Sequence, residues 1–407
     1  MVFSSYKSLR GGINYLNFFE QELARPKSDY APFCSIIAPC RGLDEDLEKN
    51  LDALFRQNFP AYEIIFVVDS ENDSALPIIK ETIHRRDIET QGRLLKKSFE
   101  SSCLCGEISS KIIVAGKAEN ESQKIHNLRE AVLNVSGESK IFVFVDSDAR
   151  PAANWLKDLI APLADENVGG ATGYRWFISK KFSLASEMRS VWNASIASAL
   201  GANLKSNFCW GGATAMRRET FEKLNMREKW KGTLSDDFVM TRTLKTAGLP
   251  VYFVPQALVA SVENCGWREL FEFTARQMKI TRVYEPHLWK QSFLGSFLFN
   301  LVWVWGISIL IFNPTSSLAF WFSLIALLLI SAFSTGKSWL RLKAVKLVLK
   351  NYETDLTKQF WTQNTLWIFA PAIFLYNCLC AFFSNEICWR GIKYKLKSPH
   401  ETMVTRQ

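Results

Sequence analysis

Two stretches without a charged side chain constrain this chain more than any other feature. FLGSFLFNLVWVWGISILIF (293–312) and LAFWFSLIALLLISAF (318–333) stand in tandem, joined by NPTSS. A helix crosses the hydrocarbon core of a bilayer with about 20 apolar residues, and the first run has that length. A soluble protein would need a large polar shell around both runs, and the 407-residue chain has no spare length for one. A third run, LWIFAPAIFLYNCLCAFF (366–383), contains Pro371. Trp303, Trp305, Trp321, Trp361 and Trp367 flank or enter the three runs, as aromatic side chains do at membrane interfaces.

Lysine and arginine orient these segments. The 313–317 loop has none, whereas KSWLRLKAVKLVLK (337–350) has five, with its apolar positions at helical spacing. That pattern predicts a basic amphipathic helix lying on anionic lipid at the cytosolic face, with the large N-terminal domain on the same side. The tail RGIKYKLK (390–397) is basic and belongs to the cytosol by the same rule. Three full spans would place it outside; a re-entrant or interfacial third segment, with Pro371 its natural break, would return it. The formal net charge of +9 is concentrated near the membrane runs, so anionic lipid is the expected partner and nucleic acid is not. Residues 1–32 show no signal-peptide pattern, and GGINYLNFF (11–19) is too short and polar to span, which predicts a surface segment. The nine cysteines lack paired C-x-x-C spacing. Cys103/Cys105 and Cys378/Cys380 are C-x-C pairs, for which neither a disulfide nor a zinc site is expected in a reducing compartment. The expected organisation is a catalytic domain over 33–289, a membrane region over 290–389 and a basic tail over 390–407.

Within 33–289 apolar runs alternate with helical periodicity. CSIIAP (34–39), YEIIFVVD (62–69), KIIVAG (111–116) and IFVFVD (141–146) read as buried strands. Helices are predicted over 44–57, 74–86 and 126–135 and in WLKDLIAPL, with a loose connection over 87–110. This alternation predicts a doubly wound, parallel α/β sheet. Ligands bind at the carboxyl ends of strands in such sheets. There the sequence places Arg41 after Pro39; Asp69, Glu71 and Asp73; Lys117 and Lys124; and Asp146 and Asp148. An isolated acid-x-acid turn is ordinarily a solvated strand end. Opposite charges gathered on one edge point instead to a nucleotide and a divalent metal. No G-x-x-x-x-G-K-[ST] or G-x-G-x-x-G occurs at these turns, which disfavours an ATPase or a dehydrogenase.

Two further groups lie downstream. Gly211 and Gly212 would let backbone approach a ligand closely, or form an ordinary turn. Asp236 and Asp237 open a helix; Ser235 and Asp236 suffice for an N-cap, and the second acid exceeds that need. A carboxylate held there could take a proton from an attacking hydroxyl. Arg276, Lys279 and Arg282 share one helix face just before the first apolar run, either as a solvated basic face or as a clamp on a diphosphate. The four histidines are scattered, so no Ser–His or Cys–His constellation is evident.

In order and spacing, GKxxxxxxKxxNL (116–128), DSD (146–148), GGxxAxR (211–217), DD (236–237) and RxxK (276–279), followed by apolar segments, resemble the membrane-bound family-2-type glycosyltransferases. APCRGLDEDLEKNL, KIHNL and CWRGIKYKL (388–396) resemble the ceramide glucosyltransferase group and its bacterial relatives in particular. The resemblance implies a GT-A fold, Rossmann-like with a mostly parallel sheet, followed by C-terminal membrane helices. It implies inverting transfer of a hexose from a UDP-sugar to a lipid hydroxyl. By the same resemblance Asp69, Glu71 and Asp73 would bind uridine, and Lys124 would approach the diphosphate. Pro39, Arg41, Asn127, Gly211 and Gly212 would line the nucleotide-sugar site. Asp146 and Asp148 would hold Mg²⁺ or Mn²⁺, with Asp146 also at the nucleotide. Asp237 would be the base with Asp236 its neighbour, and Arg276 and Lys279 would face the leaving group.

The chain departs from that family pattern in three places. Lys279-Ile280 stands where Arg-Trp is usual, Ser70 stands where an acid is common, and no N-terminal span is expected. Lysine keeps the charge but loses the bidentate fork of arginine. Two other functions remain open at this level: a processive polysaccharide synthase of the same fold, and a non-catalytic membrane scaffold with a degenerate transferase domain.

Overall fold

The apolar run that ends at Asp146 is a central strand, and its neighbours explain why. The computed structural model describes residues 1–97 and 107–406, so Cys103 and Cys105 lie outside the described residues. Its contacts divide the chain into two units. One comprises Arg25–Trp176, Asn203–Val262 and Trp389–Gln407, the other Met1–Ala24, Phe177–Ala202 and Glu263–Cys388.

The first unit is built on a seven-stranded sheet. Its strands are β1 (Cys34–Pro39), β2 (Ala61–Val68), β3 (Glu107–Val114), β4 (Ile141–Val145), β5 (Gly170–Thr172), β6 (Ala213–Arg217) and β7 (Val251–Phe253), in the order β3-β2-β1-β4-β6-β5-β7. β1 pairs in parallel with both β2 and β4, with Ile36 opposite Ile64 on one side and Val143 on the other. The chain winds outward from β1 to β3, then returns to the far side of β1 as β4. That reversal is the switch point where α/β sheets open a ligand crevice. β1, β2 and β4 are buried along almost their whole length, which is why they read as continuous apolar runs rather than alternating ones. Leu51, Leu54, Trp155 and Leu159 from the flanking helices fill the core against them.

β6 is antiparallel to both β4 and β5, with Val145 opposite Ala213 and Thr172 opposite Thr214. This reversal brings the start of β6 to the edge where β4 and β5 end. The mostly parallel sheet bears out the expected α/β class. The tail expected to be simply basic instead forms an antiparallel hairpin, β8 (Ile392–Ser398) and β9 (Glu401–Arg406). Ile392, Tyr394 and Leu396 point inward and Lys393, Lys395 and Lys397 outward. The period-two alternation was visible in IKYKLK, but the charge count outweighed it in the sequence reading. The helix expected over 74–86 runs on to Lys97 and β3 begins at Glu107, so the described part of 87–110 is helix and strand rather than a loose connection.

The second unit is helical. Two of its helices are long and apolar enough to cross a membrane, Pro286–Phe312 and Leu318–Val348. A third candidate, Phe360–Ile368 with Ala370–Phe383, is bent by 56° at the turn before Pro371, so it is either one broken span or a re-entrant loop. Three sequence expectations change here. Val2–Ala24 is not a separate surface segment but a 23-residue helix packed on Leu318–Val348, with Tyr15, Leu16, Phe18 and Phe19 buried. The basic segment 337–350 is not an independent interfacial helix but continues the second apolar helix to Val348. Gly336 alone, at about 1 kcal/mol, is too weak a breaker to divide it. The contiguous 33–289 domain is also divided, since Phe177–Ala202 and the helix Trp267–Tyr284 belong to the helical unit. There Ala185, Met188, Trp192, Leu270 and Ile373 form a shared core, with Trp192 stacked on Phe374 at 5.0 Å.

Candidate functional site

Parallel β1, β2 and β4 end side by side, so Arg41, Asp69 and Asp146 emerge on one edge of the sheet. The antiparallel turn of β6 adds Gly211 and Gly212, and the end of β5 leads into Arg175. The long-range pairing of the sheet, rather than any local motif, therefore assembles the site.

Asp146 and Asp148 do not face each other unscreened. Arg175 bridges them, donating to Asp146 Oδ2 at 3.0 Å and to Asp148 Oδ2 at 2.7 Å. Its guanidinium also lies 4.6 Å from the centre of the Trp210 ring, which holds it in place. Lys124 reaches Asp146 Oδ1 at 2.8 Å and Asp236 Oδ1 at 3.1 Å. Burial opposes the charge on Asp146, but Lys124 and then Arg175 outweigh it and hold the carboxyl below the usual carboxylate range. Burial likewise opposes the charge on Lys124, and Asp146 with Asp236 overcomes it, holding the ammonium above the usual lysine range.

The two acids of the downstream pair differ. Asp236 is 3% exposed, and its Oδ2 is buried without a hydrogen-bond partner. Burial pushes its carboxyl up; Lys124 opposes that shift, while Asp237 and Asp146 add to it. Asp237 is only partly buried. Ser235 Oγ and the Phe238 N–H both donate to its Oδ1. Asp236 is thus a buried partner for Lys124, and Asp237 is the more accessible carboxylate.

The paired glycines sit in the turn closed by the Ala213 N–H to Trp210 O and also make room for side chains. A Cβ on Gly211 would stand 2.3 Å from Asp236 Oδ2 and 2.7 Å from Lys124 Nζ. One on Gly212 would stand 2.8 Å from Asp146 Oδ2 and closer still to the Trp210 ring. The charged groups pack directly on this backbone, and any side chain would displace them.

The remaining candidates are placed as follows. Arg41 pairs with the buried Asp69. Asp73 Oδ1 accepts from the N–H groups of Gly42 and Ala75, so it braces the loop and the start of the next helix. Glu71 is exposed, and Pro39 closes β1. Asn127 is buried and accepts from Gln123, which in turn holds the 116–118 turn through Gly116 O and the Ala118 N–H. Arg276 and Lys279 lie on the helix Trp267–Tyr284 of the other unit. Arg276 stands 5.5 Å from the Phe273 ring centre, and Lys279 Nζ donates to Glu386 O at 2.7 Å.

Three charged residues in this cluster escaped the sequence reading: Asp44, Arg175 and Arg390. Arg390, just before β8, donates to Asp44 Oδ1 at 2.5 Å and to Arg41 O at 2.7 Å, and its charge acts on Asp148 and Asp146 as well. Its backbone is left-handed, with φ 48°, an uncommon and strained choice for a residue with a side chain. CWRGIKYKL had carried the family resemblance, yet Arg390 was read only as one more basic tail residue. Nothing local to Arg175 marks it, because its partners lie 27 and 29 positions away.

Among the described residues no three His, Cys, Asp or Glu side chains form a metal cluster. Magnesium held with a nucleotide needs only one or two carboxylates, since phosphates and water complete its shell. Asp146 and Asp148 fit that requirement, and the buried Asp148 Oδ1 has no hydrogen-bond partner.

Residues 10–89 and 106–402 match the description of glycosyl transferase family 21. The chain belongs to that family. This family 21 chain is similar to ceramide glucosyltransferase 1 of Caenorhabditis elegans, with 20% identity over 265 residues covering 63% of this chain and 51% of that protein. It is also similar to the ceramide glucosyltransferase of Komagataella phaffii, with 32% identity over 90 residues, 21% of this chain and 18% of that protein. The matched stretches thus span about half of the first relative's length and less than a fifth of the second's. Among solved structures the chain is similar to the mannosyltransferase PcManGT from Pyrobaculum calidifontis in complex with GDP-Man and Mn²⁺. That match has 17% identity, covers 92% of this chain and 99% of that one, and has a TM-score of 0.39, too low to bear on the site.

Proposed function

We propose that this family 21 chain is an inverting glycosyltransferase moving a hexose from a nucleotide-diphosphate sugar to the hydroxyl of a membrane lipid. The donor is UDP-glucose or a close analogue, and the acceptor is ceramide or another lipid that becomes a glycolipid. The observation that carries this reading is the grouping of the Asp146–Arg175–Asp148 bridge, the Asp146–Lys124–Asp236 bridge and the accessible Asp237 on one sheet edge. The relatives named as ceramide glucosyltransferases support the choice of donor and acceptor.

In this mechanism Asp237 accepts the proton of the lipid hydroxyl as that oxygen attacks the anomeric carbon. The bond from that carbon to the diphosphate oxygen breaks, and its electron pair leaves with the nucleoside diphosphate. A single displacement through an oxocarbenium-like state inverts the anomeric centre and needs no protein nucleophile. Lys124 and Arg390 provide fixed positive charge where the leaving diphosphate gains negative charge. Asp236 keeps Lys124 in place. A Mg²⁺ or Mn²⁺ held by Asp146 and Asp148 would neutralise charge on the diphosphate. Lys279, engaged with a backbone carbonyl, is better suited to bracing its own unit than to clamping a phosphate. Two helices long and apolar enough to cross a membrane support a membrane protein, and the basic residues that follow them favour the cytosolic side for the sheet unit, where nucleotide sugars are held. Against a non-catalytic scaffold stands Asp236: a buried acid pushed toward neutrality destabilises a fold that has no use for it.

The deciding experiment supplies labelled UDP-glucose or UDP-galactose, Mg²⁺ or Mn²⁺, and a mixed lipid extract to membranes containing the protein. A labelled lipid is expected, falling about 10²–10⁴-fold in Asp237→Asn, the range for loss of a general base. Long polymeric product would overturn single transfer in favour of a synthase. No labelled product together with no UDP binding would favour the scaffold.

A further inference from the structure

The helical unit contains two cations that transfer chemistry does not use. Lys337 and Arg341 stand one turn apart on the helix Leu318–Val348, so they share a face. Arg341 is 4% exposed. Among the described residues its hydrogen bonds are three long ones of 3.4 Å, to Ser198 Oγ, Ser338 Oγ and Gln363 Oε1, all neutral groups. Its Nε is buried without a partner. Neither cation makes an ion pair among the described residues, and each repels the other. Backbone closes over the lysine: a Cβ on Gly12 would meet Lys337 Cγ at 3.2 Å. Nearby, Asn364 Oδ1 is also buried without a hydrogen bond. A buried guanidinium answered only by weak neutral acceptors is costly, and the cost is relieved by an anion.

Position along the helix indicates which anion. The apolar run ends at Phe333. At 1.5 Å per residue, Lys337 lies about 6 Å and Arg341 about 12 Å beyond it. Lys337 falls within the headgroup layer, which extends roughly 5–8 Å past the hydrocarbon on each side, and Arg341 stands one turn further out with a long side chain that tilts back toward the helix N-terminus, the membrane side. Exposed Trp339 and Trp361 mark the same level. Basic pockets between membrane helices on the cytoplasmic side suit anionic headgroups.

We propose that Lys337 and Arg341 bind the phosphate of an anionic phospholipid, between the helices Val2–Ala24 and Phe360–Thr365. The site is independent of the transfer reaction, so its test needs no sugar donor. Full-length protein is placed in nanodiscs of phosphatidylcholine with or without phosphatidylglycerol. Retained lipid is counted by native mass spectrometry and unfolding is followed by heating. Wild type is expected to retain phosphatidylglycerol over phosphatidylcholine and to melt higher in its presence. Lys337→Gln and Arg341→Gln should each lower retention on the order of tenfold, the loss of one charge-assisted hydrogen bond. Lys337→Gln, at the more accessible position, keeps the test decisive should Arg341→Gln not fold. Inorganic phosphate added to phosphatidylcholine discs separates the sources. Stabilisation by phosphate alone, abolished by the same variants, would keep the phosphate site but overturn its lipid occupant. Equal retention of both lipids by wild type, or retention unchanged in both variants, would overturn the site itself.

Discussion

The sheet unit and the helical unit treat their cations in opposite ways. In the sheet unit Lys124 touches two carboxylates, Arg175 bridges two, and Arg390 meets Asp44. In the helical unit Arg189 does meet Glu263, but Lys337 and Arg341 have no carboxylate partner among the described residues. A closed set of matched charges is stable before substrate arrives and can exchange partners when a diphosphate enters. An unmatched pair depends on charge supplied from outside the chain. The difference shows that a high count of basic residues near a membrane contains at least two physically distinct populations.

Replacing one cation in each unit should break this symmetry most clearly. Lys124→Met leaves Asp146 and Asp236 buried without their shared partner and should cost about 3–5 kcal/mol in denaturant unfolding. Lys337→Met in phosphatidylcholine should cost nothing or stabilise, because an unmatched charge is replaced by an apolar chain of similar length. Equal losses at the two positions would erase the distinction. Gly211→Ala sharpens it at the backbone. Its methyl group would displace Asp236 and Lys124, with a loss of about 1–3 kcal/mol, as for overpacking elsewhere, and weaker UDP binding by calorimetry. Arg390→Ala removes a charge from the edge of the cluster. UDP affinity should fall about tenfold, as for one hydrogen bond to a charged group, with a small change in melting temperature because the side chain is partly exposed.

The smallest expected effect depends on pH. The hydrogen bond to Glu121 raises His126 above its usual range, with burial opposing it. A histidine raised by folding stabilises fully below its unfolded value, about 6.5, and that contribution is lost as pH rises through its folded value. The sheet unit should therefore melt slightly lower on the alkaline side of neutrality than on the acid side, and His126→Gln should remove that slope. An unchanged slope in the variant would assign it to other groups. Glu121 is lowered in the fold, so its own contribution is lost only as pH falls through the acid range.

Much of the fold could be read directly from the sequence because its signals are local. Continuous apolar runs made β1, β2 and β4 recognisable, and uncharged length made the two long helices so. The carboxylates at 146, 148, 236 and 237 were found for the same reason, since each pair is adjacent or nearly so in the chain. Arg175, Asp44 and Arg390 were not, because a bridging cation has meaning only beside the acids it bridges. Gly211 and Gly212 were found as a motif that would allow close backbone approach or form a turn; only the structure shows that they also make room for Asp236, Lys124, Asp146 and Trp210. The 337–350 segment was recognised as basic and helical, yet its burial under Val2–Ala24 depends on a partner more than 300 residues away in the chain.

By itself, then, the sequence determined which segments are the parallel strands β1 to β4, which helices are apolar enough to enter a membrane, and which acids stand at strand and helix ends. These follow from side-chain periodicity and hydropathy over a few residues. Only the tertiary structure decided which charges neutralise one another, which cation is left unanswered, and why two glycines stand where they do. Those outcomes depend on distances of a few ångströms between residues far apart in the chain, and long-range strand and helix pairing sets those distances.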